Sequence, residues 1–155
     1  MKIGILGSGI VGRVLATAFL KEGHAVTLGT RNAAKEEIIK WQAENAGASV
    51  NSFEAATTDA DIVVLAVQGE AAEALISSLK DLLGNKIVID ATNPISHTQP
   101  PVNGVLNYFT NANESLMERL QLLAPQARFV KAFNSVGNAF MYQPKFAEGK
   151  PTMFI

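Results

Sequence analysis

The stretch Gly7-Ser8-Gly9-Ile10-Val11-Gly12 constrains this chain more than any other. It follows the short apolar run Lys2-Ile3-Gly4-Ile5-Leu6. It precedes a segment in which Ile10, Val14, Leu15, Ala18 and Phe19 recur at helical spacing, with Gly23 as the stop. A short, continuously apolar run reads as a parallel strand buried on both faces. Strand, glycine turn and helix in that order form the phosphate-cradling start of a dinucleotide fold. The first glycine permits the bend, the second lets a pyrophosphate approach the backbone, and the third lets the helix pack on the strand. Free amides and the positive helix end then face the phosphates. Gly7, Ser8, Gly9, Ile10, Val11 and Gly12 are therefore candidate pyrophosphate-binding residues; the plainer alternative is a glycine turn that serves only the fold.

The rest of the chain can be tested against that start. Strand-like and helix-like segments alternate throughout, which predicts an α/β architecture: a three-layer, doubly wound parallel sheet of the NAD(P)-binding Rossmann type. Strands are expected at 24–29, 48–50, 61–67, 86–91, 128–134 and 151–155 after the first. Helices are expected from Asn32 as cap to about Gly47, at 53–58, at 71–83, and from an Asn111/Glu114 capping box to about Ala124. Residues 92–110, with Pro94, Pro100, Pro101 and Gly104, read as a long loop of the kind that is usually functional or mobile. A length of 155 residues suits one domain, 1–155. Because the chain stops inside an apparent strand, that domain is expected to lack a C-terminal segment.

Composition narrows the function. With 13 basic and 14 acidic residues the net charge is −1, which offers no electrostatic footprint for nucleic acid or an anionic membrane. There is no cysteine for a disulfide, thiolate nucleophile, Fe–S cluster or Cys-type zinc site. No HExxH motif, paired-ligand spacing or Ser/His/Asp arrangement occurs, so neither a metal site nor a catalytic residue is nominated. No secretory pattern or apolar run of membrane-spanning length is present, and a cytoplasmic protein is expected.

Nucleotide preference is legible at the end of the second strand. NAD-selective versions of this fold place an acidic residue there to grip the ribose hydroxyls. Here the stretch from Gly23 to Lys35 has no Asp or Glu and reads Gly29-Thr30-Arg31-Asn32, with Lys35 expected on the next helix's first turn. A carboxylate would repel a 2′-phosphate, whereas a guanidinium can bind it bidentately. Thr30, Arg31, Asn32 and Lys35 are therefore candidate NADP-selecting residues, against the alternative of an exposed charge beside a helix cap. A nucleotide-sugar or S-adenosylmethionine binder can share such a turn; the basic strand end and the pyrophosphate seat argue against the methyl donor.

Ligands of open parallel sheets bind beyond the C-terminal strand ends. That rule nominates Ala66, Val67 and Gln68 after the fourth strand, Asn93 and Pro94 after the fifth, and Asn134 after the sixth. Small or apolar residues at 66 and 67 let a cofactor lie flat, and uncharged amides can bond a ribose or carboxamide. The bland reading of each amide is turn formation, and Asn93-Pro94 admits either peptide isomer. His24, at the start of the second strand, reads as structural; His97 is a candidate proton donor, against the plainer reading of a solvated loop histidine. Lys131, inside the sixth strand, reads as structural or surface-exposed. A site with no evident acid or base suits hydride transfer between two bound redox groups, with the protein supplying binding and orientation.

On these residues the chain resembles the coenzyme F-420-dependent NADP oxidoreductase family, which shares its cofactor domain with pyrroline-5-carboxylate reductases and the cytoplasmic part of the STEAP metalloreductases. The resemblance is carried by the opening glycine motif, Thr30-Arg31-Asn32, Asp90-Ala91-Thr92-Asn93-Pro94 and Lys131-Ala132-Phe133-Asn134-Ser135-Val136-Gly137; the last is the most particular, to bacterial relatives. It implies an NADP(H) site with Ser8, Ile10 and Val11 in the phosphate turn. Thr30, Arg31 and Asn32 would lie on the 2′-phosphate, and Val67, Gln68, Asn93 and Asn134 would border the nicotinamide. It implies coenzyme F-420, a flavin or another small redox acceptor as second partner. Archaeal members carry a histidine where Asn134 falls. Family members continue past the position of Ile155, and that continuation helps form the acceptor pocket and a homodimer contact. The expected activity is NADPH-dependent hydride transfer to such an acceptor. The alternative is a non-catalytic NADP-binding module, a redox sensor or a component of a larger reductase.

Overall fold

Six strands, Lys2–Leu6 (β1), Ala25–Gly29 (β2), Ser49–Asn51 (β3), Ile62–Leu65 (β4), Ile87–Asp90 (β5) and Arg128–Lys131 (β6), form one sheet in the order β3-β2-β1-β4-β5-β6. Every pairing is parallel. They are seen in a computed structural model that describes residues 1–147, 149 and 151–155. Five α-helices connect them: Ile10–Lys21 (α1), Glu36–Glu44 (α2), Phe53–Thr58 (α3), Gly69–Leu83 (α4) and Leu116–Leu123 (α5).

Parallel strands need crossovers, and the crossovers cover both faces. Leu6, Val63, Leu65 and Val88 pack with Ile76, Leu79 and Leu83 of α4 and Leu116 and Leu120 of α5 on one side. Ile3, Ile5, Val26, Leu28 and Val64 pack with Leu15 of α1 and Ile38 and Trp41 of α2 on the other. Val63 and Val64 thus enter opposite cores although both are fully buried, which is why β4 shows no polar alternation. A polar brace ties α1 to α2: the Trp41 indole donates to Thr17 Oγ1 at 2.9 Å, and Thr17 donates to Asn45 Oδ1 at 3.0 Å. No helix among the described residues is long and apolar enough to cross a membrane.

Four expectations are corrected. Residues 151–155 form no strand and lie exposed, so the sheet has six strands, not seven. β6 stops at Lys131 rather than 134, since Phe133 turns into the left-handed region at φ +65° and leaves the extended path. The N-cap of α2 is Lys35, not Asn32; the Asn32 carboxamide accepts from the Ala34 amide at 3.0 Å and closes a local turn instead. The capping box of α5 is Ser115/Glu118, not Asn111/Glu114.

Candidate functional site

The turns after β1, β2, β4, β5 and β6 all emerge at one edge, because the sheet is wholly parallel. From β1 the chain winds outward through β2 to β3, then crosses to β4 on the other flank of β1. The β1–β4 boundary is therefore the topological switch point, where a crevice opens beyond the strand ends.

Three glycines of the β1–α1 turn occupy three different environments. Gly7 takes φ +125°, and a Cβ there would run into the Ala66 carbonyl; the turn after β1 lies directly against the turn after β4. A Cβ on Gly12 would collide with the Gly7 carbonyl, so the helix approaches the turn as closely as backbone allows. A Cβ on Gly9 would meet no atom within 4 Å. The second glycine thus faces open space. It is also the N-cap of α1 and brings no side-chain cap, and the first turn of α1 holds no acidic residue. The initial amides of an uncapped helix are available to an anion. Ile10 is 57% exposed beside them, and Val11 is half-buried.

The end of β2 is joined to this turn by hydroxyls. Ser8 Oγ lies 2.8 Å from Thr30 Oγ1, and the Asn32 amide donates to Thr30 Oγ1 at 3.2 Å. Thr30 is itself buried, and its backbone amide donates to the Asn51 carbonyl of β3. Arg31 and Lys35 are exposed and form no ion pair among the described residues. Acidic residues begin only at Glu36 and Glu37, the first turn of α2. Glu37 is engaged by Arg13, whose guanidinium lies 3.5 Å from it and donates to the Ser8 carbonyl at 2.7 Å. Arg13 is a member of this cluster that the sequence reading missed. Its signal was a basic residue directly after the third glycine.

On the other flank, Ala66 donates its amide to the Leu6 carbonyl at 2.8 Å, and Ala66 and Val67 are half-buried. Gln68 is the exposed N-cap of α4 but does not cap it with its side chain. A Cβ on the adjoining Gly69 would collide with the Asn93 carbonyl, which places the start of α4 against the turn after β5. Gly69 also went unnoticed in sequence, because only the packing of two non-adjacent turns demands it. The Asn93 carboxamide donates to the Asn134 carbonyl at 2.9 Å and so links the ends of β5 and β6. Asn93-Pro94 is trans, and Pro94 is half-buried.

Beneath these amides, Asp90 is fully buried. Its Oδ2 accepts from Lys131 Nζ at 2.9 Å, and its Oδ1 accepts from the amide and hydroxyl of Thr92 at 2.9 and 2.7 Å. His24 precedes β2 at the opposite edge, and His97 is exposed, with its backbone amide donating to Glu70. Among the described residues no group of three or more His, Asp or Glu side chains could hold a metal ion. A groove of about 410 Å³ runs along α1 past Thr17, Lys21 and Tyr142; of the predicted site residues it touches Ile10 alone.

Together these residues can do one thing well. An open backbone face at Gly9 and uncapped amides suit a pyrophosphate, and unpaired cations beyond β2 suit a further anionic group. Uncharged amides at three strand ends suit a neutral, hydrogen-bonding ring substituent. The donor set fits a phosphorylated dinucleotide.

Known proteins of similar sequence and structure point the same way. The F420-dependent NADP reductase of Methanothermobacter thermautotrophicus (strain Delta H) is 37% identical over 102 residues, covering 61% of this chain and 44% of that protein. Metalloreductase STEAP3 of Rattus norvegicus is 32% identical over 135 residues, covering 87% of this chain and 25% of that protein. The chain therefore spans less than half the length of either curated relative. A crystal structure of a candidate F420-dependent NADP reductase from Arthrobacter sp. FB24 superposes with a TM-score of 0.85 at 30% identity, covering 93% of this chain and 67% of that one. The model of the family described as "NADP oxidoreductase coenzyme F420-dependent" matches residues 2–94, more than half of the chain, and to that family this chain belongs.

Proposed function

We propose that the protein binds NADP(H) across the β1–β4 crevice and takes part in hydride transfer between its nicotinamide and a small redox acceptor. When bound, NADPH supplies a hydride, one hydrogen with two electrons, from its C4; the acceptor is reduced, takes up a proton from solvent, and NADP⁺ remains. The chain's own contribution is placement. Gly7, Ser8, Gly9, Ile10, Val11 and Gly12 seat the pyrophosphate through backbone amides, and Arg13 braces that turn through the Ser8 carbonyl. Thr30, Arg31, Asn32 and Lys35 take the 2′-phosphate. Ala66 and Val67 give the nicotinamide a flat wall, with Gln68, Asn93, Pro94 and Asn134 around it. The acceptor in this reading is a deazaflavin such as coenzyme F-420 or a flavin. The deazaflavin is supported by the family description and by the names of two relatives. A homodimer belongs to the same reading and rests on family likeness alone.

One observation carries the nucleotide assignment: the end of β2 is hydroxyl-bonded to the glycine turn and presents Arg31 with no carboxylate partner among the described residues. A charge-assisted bidentate contact is worth about 1.5–3 kcal/mol, or roughly ten- to a hundredfold in affinity. Arg31→Asp should therefore weaken NADPH by about that factor and reverse the preference over NADH in a fluorescence titration. Unchanged relative affinities would refute the assignment. Stopped-flow mixing of the NADPH complex with F-420, FMN and ferric chelates tests turnover. No oxidation with any acceptor would favour the non-catalytic module, a reading suggested by a match to only a quarter of STEAP3.

A further inference from the structure

The ladder between β5 and β6 ends where the site begins. Its last register pair is Asp90 with Lys131, and its last backbone bond runs from the Ala132 amide to the Asp90 carbonyl. Beyond that point, among the described residues, no backbone hydrogen bond joins 91–94 to 133–136. Two chain segments that must hold Asn93 and Asn134 in register have left the sheet.

Side chains take over from the ladder. Lys131 Nζ donates both to Asp90 Oδ2 and to the Thr92 carbonyl. That carbonyl belongs to the peptide whose other half is the Asn93 amide, so the ammonium fixes the peptide plane from which Asn93 departs. Asp90 Oδ1 holds the same residue from the other side through the Thr92 amide and hydroxyl. Asn93 then donates to the Asn134 carbonyl, three residues beyond Lys131. The bonds close a ring: Lys131 to Asp90 and Thr92, Thr92 to Asn93, Asn93 to Asn134, and back along the chain to Lys131. Inside the ring Phe133 is held at φ +65°, a conformation uncommon for an aromatic residue.

Burying a carboxylate is a poor way to gain stability, since desolvation offsets much of the attraction. The pair nonetheless sits at the strand ends, on the site edge of the sheet and not at its centre, where it orients the two turns beyond. We propose that Asp90, Thr92 and Lys131 are positioning residues that set the pose of the Asn93 and Asn134 amides toward the nicotinamide. This rests on the dinucleotide reading given above.

The test separates the two halves of the ligand. In three forms of the chain, Thr92→Val, Thr92→Ser and the double charge deletion Asp90→Asn with Lys131→Met, 2′,5′-ADP reports the adenosine half alone. NADPH, through its affinity and the emission of its bound nicotinamide, reports both halves. Thr92→Val and the double variant should bind 2′,5′-ADP as the parent does, yet lose about tenfold in NADPH affinity, the worth of one well-placed hydrogen bond. Their bound nicotinamide emission should move toward that of free NADPH. Thr92→Ser, which keeps the hydroxyl donor, should match the parent. Unchanged NADPH affinity and emission in both altered variants would overturn the proposal. So would a parallel loss of both ligands with a lowered melting temperature, which marks a purely structural role. A parent chain that binds neither ligand would instead overturn the dinucleotide reading, and the positioning role with it.

Discussion

A methyl group at Gly12 would be driven into the Gly7 carbonyl, while one at Gly9 would extend into open space. The same residue type in one turn therefore answers to two different demands, and substitution tells them apart. Gly12→Ala forces helix and strand apart, and overpacking of this kind costs about 1–3 kcal/mol. In a domain of this size that lowers the melting temperature by about 2–4 °C for each kcal/mol. Gly9→Ala should lower the melting temperature less than Gly12→Ala, because no atom meets the methyl and the cost is that of alanine in place of glycine at an N-cap, about 0.5–1 kcal/mol. It should nevertheless weaken NADPH, since the methyl occupies the approach to the backbone amides. Calorimetric melting alongside a ligand titration checks both, and equal melting losses in the two variants would contradict the division of labour. The spacing alone predicted the close packing at Gly12; the role of Gly9 toward a ligand is what the titration tests. The Asp90–Lys131 pair was illegible for the opposite reason, since the two residues lie 41 apart and meet only through strand register.

α5 shows how an element is chosen among equivalent local signals. Both Asn111/Glu114 and Ser115/Glu118 have cap-box spacing. The second is used because it starts a helix whose Leu116 and Leu120 both reach the core, whereas Asn111 bonds the Asn113 amide in a local turn. In the box, Glu118 accepts from the Ser115 amide, and the Glu118 amide donates to Ser115 Oγ at 3.2 Å. The Ser115 backbone and hydroxyl hold the Glu118 carboxyl below the usual glutamate range. A carboxyl that binds protons more weakly when folded contributes stability above its unfolded value, and that contribution is lost as pH falls through the folded one. Ser115→Ala should cost about 1 kcal/mol near neutral pH. The gap to the parent should narrow as the solution is acidified through the glutamate range, in urea midpoints measured across pH. A gap constant with pH would show that the Ser115 hydroxyl contributes nothing to holding the Glu118 carboxyl ionised, the Ser115 amide being kept in the variant. The buried, β-branched run of β4 was legible because it has only one use. The apolar 151–155 was misread for want of a partner, since a strand exists only where another strand accepts its backbone bonds.

The sheet has two flanks, β3-β2-β1 and β4-β5-β6, joined through a single strand pair, β1 with β4. A ligand lying over that boundary touches turns from both flanks and so stabilises the molecule as a unit. Free energy added by a ligand that binds only the folded chain is about 2.7 kcal/mol at a hundred times its dissociation constant. At about 2–4 °C per kcal/mol for a domain of this length, saturating NADPH should raise the melting temperature by roughly 5–10 °C. 2′,5′-ADP at the same multiple of its own dissociation constant should raise it equally, because linkage depends on occupancy and not on contact area. At equal molar concentration it should raise it less, by the amount the nicotinamide contacts contribute. Adenosine ligands without the 2′-phosphate should fall lower still, and Arg31→Asp should reverse the order of ligands with and without that group. A rise with NADPH that is matched by NADH at every concentration would remove the role of the β2 terminus, even with the fold and crevice intact.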